Sequence, residues 1–181
     1  MRIRKMNRSD ITAVLQVVEN AFGPLHGPEV AGLTKDLLND PSALPLLSLV
    51  AATADKISGH ILFTRAGLDS NAASPATVIL GPLAVSPEAQ NRGVGGRLIR
   101  TGLRQLSKSG VELVFVLGHP EYYPRHGFRP AGVLGFAAPF PIPDQDAAAW
   151  MVQELRPGLI GSVNGRVLCA EALNQPQHWR E

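Results

Sequence analysis

Apolar residues recur along the first part of the chain with the period of a helix. Ile11, Val14, Leu15, Val18 and Phe22 fall on one face behind Ser9 and Asp10, which are suited to cap a helix, and Gly23-Pro24 stops the run. A loop with His26 and Gly27-Pro28 then leads to a second, short helix carrying Val30, Leu33, Leu37 and Leu38 on one face, with Pro41 at its end. Ahead of both, Arg2 to Met6 reads as a short strand. The pattern then changes. Residues 46–53 and 57–66 are apolar runs around the polar Asp55-Lys56, as in a β-hairpin, and 77–85 is a further strand after a small-residue loop at 70–75. Pro82 has no N–H to give a ladder, so this strand is expected to bulge or lose a hydrogen bond at Gly81-Pro82.

The best-defined element is a helix from about Gly93 to Ser107. Leu98, Ile99, Leu103 and Leu106 share a stripe with Gly95 and Gly102, opposite Arg97, Arg100, Arg104 and Lys108. Gly102 within that stripe predicts close packing on a sheet. Gly110 ends the helix, and residues 111–117 form an apolar run typical of a strand buried on both faces. Strand, helix and strand in succession predict a βαβ unit, with two parallel strands joined by a right-handed crossover. A short helical piece around Glu121 to His126 follows, then a proline-rich extended loop at 136–143, and strands at about 149–155 and 163–173 complete the sheet. The fold class is α/β.

Chemistry concentrates where strand meets helix. Gln90-Asn91-Arg92-Gly93-Val94-Gly95-Gly96 leads directly into the helix, and glycines there leave the unpaired N–H groups of the first turn uncovered. Those donors and the positive end of the helix dipole make an anion site. Arg92 and Arg97 oppose the dipole and cost stability unless an anion is bound, and a local rule broken at one spot marks function. The expected anion is a phosphate or diphosphate. A Walker A loop is absent from the sequence, and the dinucleotide fingerprint would need glycine where Leu98 stands.

Composition narrows the classes. The 181 residues suffice for one domain, and 45% hydrophobic with 18% charged residues is a globular balance. A net charge of +2, without a basic block interleaved with aromatics, argues against nucleic acid. No apolar stretch has the length of a membrane span, and Asn7, Arg8, Ser9 and Asp10 interrupt any signal-peptide pattern after the basic start. Cys169 is the sole cysteine, so neither a disulfide framework nor a cysteine metal site is expected, and a cytoplasmic setting is the default. It reads as a core or edge residue rather than a nucleophile. An exposed final strand is open to pairing across a homodimer. Trp150 and Trp179 receive no role from sequence.

The spacing Gln90-x-x-Gly93-x-Gly95, preceded by Leu83-Ala84-Val85-Ser86-Pro87, resembles the coenzyme A loop of the GCN5-related N-acetyltransferases. Val116-Leu117-Gly118-His119-Pro120-Glu121-Tyr122-Tyr123-Pro124-Arg125-His126-Gly127-Phe128 resembles the second signature of that family, a strand followed by Tyr-x-x-x-Gly-Phe, and is similar in particular to its YhbS-like branch. The agreement is strongest from Ile79 to Phe128. The resemblance implies a mixed, mostly antiparallel sheet with a central parallel βαβ unit, helices on both faces, and a splay between the 77–85 and 111–117 strands. It implies an acyl-CoA-dependent N-acyltransferase using acetyl-CoA as co-substrate and no metal, with a small-molecule or peptide amine as acceptor. Backbone groups of Leu83, Ala84 and Val85 would hold the pantetheine arm. Gln90, Asn91, Arg92, Gly93, Val94, Gly95, Gly96 and Arg97 would receive the diphosphate; Arg100, Arg104 and Lys108 read as an ordinary solvated face.

Acyl transfer to an amine needs a neutral amine, stabilisation of developing oxygen charge and a proton for the leaving thiolate. Tyr123 aligns with the family tyrosine that serves as the acid, and a phenol with an ordinary pKa near 10 keeps its proton at neutral pH. Tyr122 reads as packing or pocket wall. Related enzymes place a glutamate on the strand before the loop, whereas Val78-Ile79-Leu80-Gly81-Pro82 holds no carboxylate. His119 is the first substitute as base, with Glu121 and His26 as others, and solvent deprotonation of the amine needs none. The acceptor pocket is expected from the Gly23–Pro28 and Pro139–Asp144 loops, with His26, Asp144 and Asp146 facing a cationic amine. The missing strand carboxylate keeps a second class open, a catalytically silent acyl-CoA sensor or partner-docking module. A nucleotide-binding protein using the same helix mouth is the third, weakened by the failure of both fingerprints.

Overall fold

Strict alternation along the central strands sorts the core into two sides. The computed structural model describes residues 1–54, 56–70 and 73–180, so Asp55 of the hairpin turn and part of the 70–75 loop lie outside the described residues. The elements are β1 (Arg2–Lys5), α1 (Ile11–Asn39), β2 (Leu47–Thr53), β3 (Lys56–Leu68), β4 (Thr77–Val85), α2 (Val94–Lys108), β5 (Leu113–Leu117), β6 (Arg129–Pro130), β7 (Phe136–Ala137), β8 (Trp150–Glu154) and β9 (Gly165–Leu168). Leu49, Ala51, Ile61, Phe63, Val78 and Leu80 pack against Val94, Leu98, Ile99 and Leu106 of α2. Val50, Ile57 and Ala84 pack on the opposite side against Val14, Val17, Val18 and Ala31 of α1. Helices therefore cover both faces. Gly102 is the point of closest approach on the α2 side, since the Phe63 ring lies where a side chain would stand.

The sheet runs β1-β2-β3-β4-β5-β8-β6, with β9 beside the end of β3 and β7 beside β9. Its central β4–β5 pair is parallel, from Thr77↔Leu113 to Leu80↔Val116, and its long-strand neighbours are antiparallel. After Leu80 the two strands part. β4 continues on β3 through Ile61↔Leu83, His60↔Ala84 and Gly59↔Val85, while β5 turns to β8 at Leu117↔Trp150. The bulge expected at Gly81-Pro82 is present: Ile61 pairs Leu83 and Phe63 pairs Leu80, leaving Leu62 opposite both residues.

Three expectations are corrected. The two N-terminal helices are one continuous run, Ile11–Asn39, kinked at Gly23 (φ 75°, ψ 178°) rather than parted by a loop. Pro24 opens the second segment, where its missing N–H costs nothing, and Gly27 lies against the Glu19 carbonyl across the bend. The final strand covers only Gly165–Leu168, because the chain leaves the sheet for a helical turn at Glu171–Leu173. That strand is not a bare edge: β3 pairs its Val167 and Leu168, and β7 its Gly165 and Arg166. The proline-rich 136–143 segment begins with a strand, Phe136–Ala137, anchored where the Trp150 indole N–H donates to the Phe136 carbonyl at 3.0 Å.

One buried polar group sets a pH dependence. His60 is fully buried on the α1 side, with Nε2 2.9 Å from Ser48 Oγ and no partner for Nδ1 among the described residues. Burial pushes its pKa down to about 4, against 6.5 for an ordinary histidine. The folded state thus favours the neutral ring. Its contribution, about 3 kcal/mol, is complete above pH 6.5 and is lost as pH falls towards 4. Urea unfolding at pH 7 and pH 5 is expected to show lower stability at pH 5, and His60→Gln should flatten that difference.

Candidate active site

The parting of β4 and β5 opens a groove of about 1030 Å³, at the upper end of the range for ligand sites. One wall is β4, from Ile79 to Leu83 with Val85; the other is Val116 and Leu117 of β5 with Gly118 just after it. Past Leu80 the β5-facing edge of β4 has no strand beside it among the described residues, so an extended ligand can take up its backbone groups.

At one end the groove meets the start of α2. Gly93 is the N-cap, in the left-handed region at φ 76°, and Asn91 before it has φ 58°. No side chain caps the helix and no acidic residue stands in its first turn. The bond from the Arg97 N–H to the Gly93 carbonyl, 3.1 Å, lies one turn in, leaving the first-turn N–H groups to point outwards. Gln90, Asn91, Gly93, Val94, Gly95 and Gly96 all line the groove here. Gln90 also fixes the loop, its side-chain amide donating to the Val85 carbonyl at 3.0 Å.

The expected cofactor residues divide in three. Leu83 and Val85 line the groove with Gln90, Asn91 and Gly93–Gly96, whereas the Ala84 side chain is buried under α1. Arg92 is exposed and stands outside the lining. Arg97 turns away altogether, into a shallow hollow with Met1, Arg2, Ile3, Arg100, Thr101 and Arg104, where it reaches the Met1 carbonyl at 3.4 Å. The physical reason is helical phase: a residue one turn in from Gly93 faces β1 rather than the mouth.

Tyr122, Tyr123 and His119 all line the groove beyond the end of β5. The His119 carbonyl accepts the N–H groups of Tyr122 (3.0 Å) and Tyr123 (3.4 Å), which folds the turn back over the groove. Tyr123 is 7% exposed, held edge-on by Tyr122 and Phe128 and seated against Gly118, where any side chain would displace its ring. The Tyr122 hydroxyl lies over Gly95, 2.6 Å from where a β-carbon would be. Burial pushes the Tyr122 phenol up, with Arg125 and Arg100 pulling the other way; the Arg125 guanidinium sits 5.4 Å above its ring. His126 and Arg100 crowd Gly96, a β-carbon there standing 3.1 Å from His126 Cε1 and 3.2 Å from Arg100 Nη1. Burial, aided by Arg100 and Arg125, lowers the His126 pKa. Arg100 lines the same hollow as Arg97, yet its guanidinium also lies beside Gly96, which lines the groove.

The other end of the groove is on the α1 side. Ala21 and Phe22 from before the kink and Val30 and Leu33 from after it line the groove with Leu173, His178, Trp179 and Arg180. Sequence reasoning missed this C-terminal segment, because nothing local marks it. It is placed by Trp179, whose indole donates to the Leu173 carbonyl at 2.9 Å and meets Trp150 edge-on. His26 is exposed outside the lining, and Asp144, Asp146 and the Pro139–Asp144 loop are also absent from it. Among the described residues no group of histidine, cysteine and carboxylate side chains is arranged to hold a metal. Burial pushes the Cys169 thiol up to about 11, in keeping with a packing role.

A mixed sheet with a splayed parallel pair, its gap facing the bare mouth of a helix, defines the N-acetyltransferase class. The family model for the acetyltransferase (GNAT) domain matches residues 47–130. The chain belongs to the GNAT family of N-acetyltransferases: it is 48% identical over 166 residues to the uncharacterized N-acetyltransferase YjhQ of Escherichia coli (strain K12), spanning 91% of this chain and 90% of that protein. It is 28% identical over 146 residues to the uncharacterized N-acetyltransferase YhbS of the same strain, across 80% and 83% of the two chains. The crystal structure of E. coli YhbS in complex with CoA superposes with a TM-score of 0.85 at 25% identity, covering 96% of this chain and 92% of that one. A GNAT family acetyltransferase from Brucella melitensis in complex with acetyl-CoA gives a TM-score of 0.75 at 28% identity, covering 95% and 97%.

Proposed function

We propose that this protein, as a single N-acetyltransferase domain of residues 1–181, transfers an acetyl group from acetyl-CoA to a primary amine by direct attack. One observation carries the cofactor: the uncapped, acid-free start of α2 opens onto the unpaired edge of β4. Two similar structures, of YhbS and of the Brucella acetyltransferase, hold CoA and acetyl-CoA. In this proposal backbone groups of Leu83, Ala84 and Val85 bind the pantetheine arm, and amides from Arg92 to Gly96 bind the diphosphate. Arg100, more than Arg97, adds positive charge at the mouth.

Acetyl-CoA supplies an activated thioester. Tyr123 holds on its phenolic oxygen the proton that the departing thiolate takes up; in support, Tyr123 lines the groove and its ring packs against Gly118. His119, at the exit of β5, accepts the proton that the attacking amine gives up, so one proton enters and one leaves for each transfer. Water is kept from the reacting atoms by Leu80, Leu83 and Val116. No helix among the described residues is long and apolar enough to cross a membrane. The protein is proposed to act in the cytoplasm on a small-molecule or peptide amine, without nucleic acid or membrane.

The second reading, a catalytically silent acyl-CoA sensor, draws support from a groove lining with no aspartate or glutamate among the described residues. Thiol release from acetyl-CoA across a panel of amines tests the two. An amine-dependent rate well above background hydrolysis is expected. Tight acetyl-CoA binding without transfer to any amine would favour the sensor.

A further inference from the structure

The groove opens on both faces of the sheet, and its two ends differ in chemistry. The α2 end offers main-chain donors and the cation Arg125. The α1 end, where the second substrate must enter if the first fills the α2 end, is built from Phe22, Val30, Leu33, Leu173 and Trp179. Phe22 is 39% exposed at this end. The polar groups at this end are His178 and Arg180. Burial lowers the His178 pKa, which Glu29 and Asp36 of α1 oppose, but neither carboxylate lines the groove.

We infer that the acceptor is an amine on an apolar body that also carries a carboxylate, of which an apolar α-amino acid is the simplest case. This rests on the proposed acetyl transfer. A polyamine or aminoglycoside would bring several ammonium groups against Arg180, with no carboxylate among the described lining residues to replace the water they lose. An aromatic or branched side chain instead buries against Phe22, Leu33 and Trp179. Arg180, exposed at the rim, makes no ion pair among the described residues and meets the acceptor carboxylate. The amine then points inward, towards the parting of β4 and β5.

The test compares kcat/KM for phenylalanine, leucine, phenethylamine, spermidine and kanamycin at saturating acetyl-CoA, with acetyl-CoA binding measured separately by calorimetry. Phenylalanine or leucine is expected to exceed spermidine and kanamycin at least tenfold. Arg180→Gln should raise KM for the amino acid severalfold and leave phenethylamine unchanged, and Phe22→Glu should narrow the gap to spermidine. Preference for the polycations, with acetyl-CoA still bound, overturns the acceptor assignment alone, whereas acetyl-CoA binding with no transfer to any amine of the panel overturns the proposed transfer as well. Failure to bind acetyl-CoA overturns the proposed function itself.

Discussion

Gly95→Glu is expected to weaken acetyl-CoA binding about a thousandfold, about 4 kcal/mol, while leaving the thermal midpoint unchanged or slightly raised. Gly95 is the second residue of α2, a position where a carboxylate complements the helix dipole and supports the fold. The same negative charge stands among the donors proposed to receive the diphosphate, so it replaces attraction by repulsion in a groove that shields it from solvent. Only the tip of Tyr122 must swing aside to admit the new side chain. Gly95→Gln separates bulk from charge and should lose no more than about tenfold. Calorimetry with acetyl-CoA, beside a thermal melt, reads both quantities. A Gly95→Glu protein that still binds would show that the ligand lies elsewhere.

Tyr123→Phe is expected to lower kcat by two to three orders of magnitude with acetyl-CoA affinity held within about twofold. The ring contacts with Gly118, Tyr122 and Phe128 survive in phenylalanine, so packing is retained and the missing oxygen is what the rate reports. A parallel loss of affinity and stability would instead assign Tyr123 to architecture. Pre-steady-state thiol release separates the chemical step from product release.

Much of the fold was readable because particular residues allow few alternatives. Pro82 cannot serve a ladder, and the bulge lies there; the charged and apolar stripes of α2 fixed its phase and its sheet-facing side. Gly93 and Gly95 marked the helix mouth for the same reason, since little else leaves that backbone uncovered. Gly23-Pro24 misled. A proline after a non-helical glycine ends one helix and starts the next equally well, and only packing of both segments on the sheet made them one kinked run. Arg97 misled through phase, because nearness in sequence to a helix mouth says nothing of which side it faces. The Leu173–Arg180 wall was illegible for another reason: its place depends on Trp179 meeting Trp150, a long-range contact that no local pattern announces.

The diphosphate site at the start of α2 is tested most directly by two truncated cofactors that differ in a single phosphate, acetyl-pantetheine and acetyl-4′-phosphopantetheine. In the proposed binding mode both fill the strand gap, and only the second reaches the helix mouth. Calorimetry should give at least tenfold tighter binding for the phosphorylated compound, with the advantage shrinking in Gly95→Glu. Equal affinities would mean that the bare amides of Val94, Gly95 and Gly96 hold no phosphate.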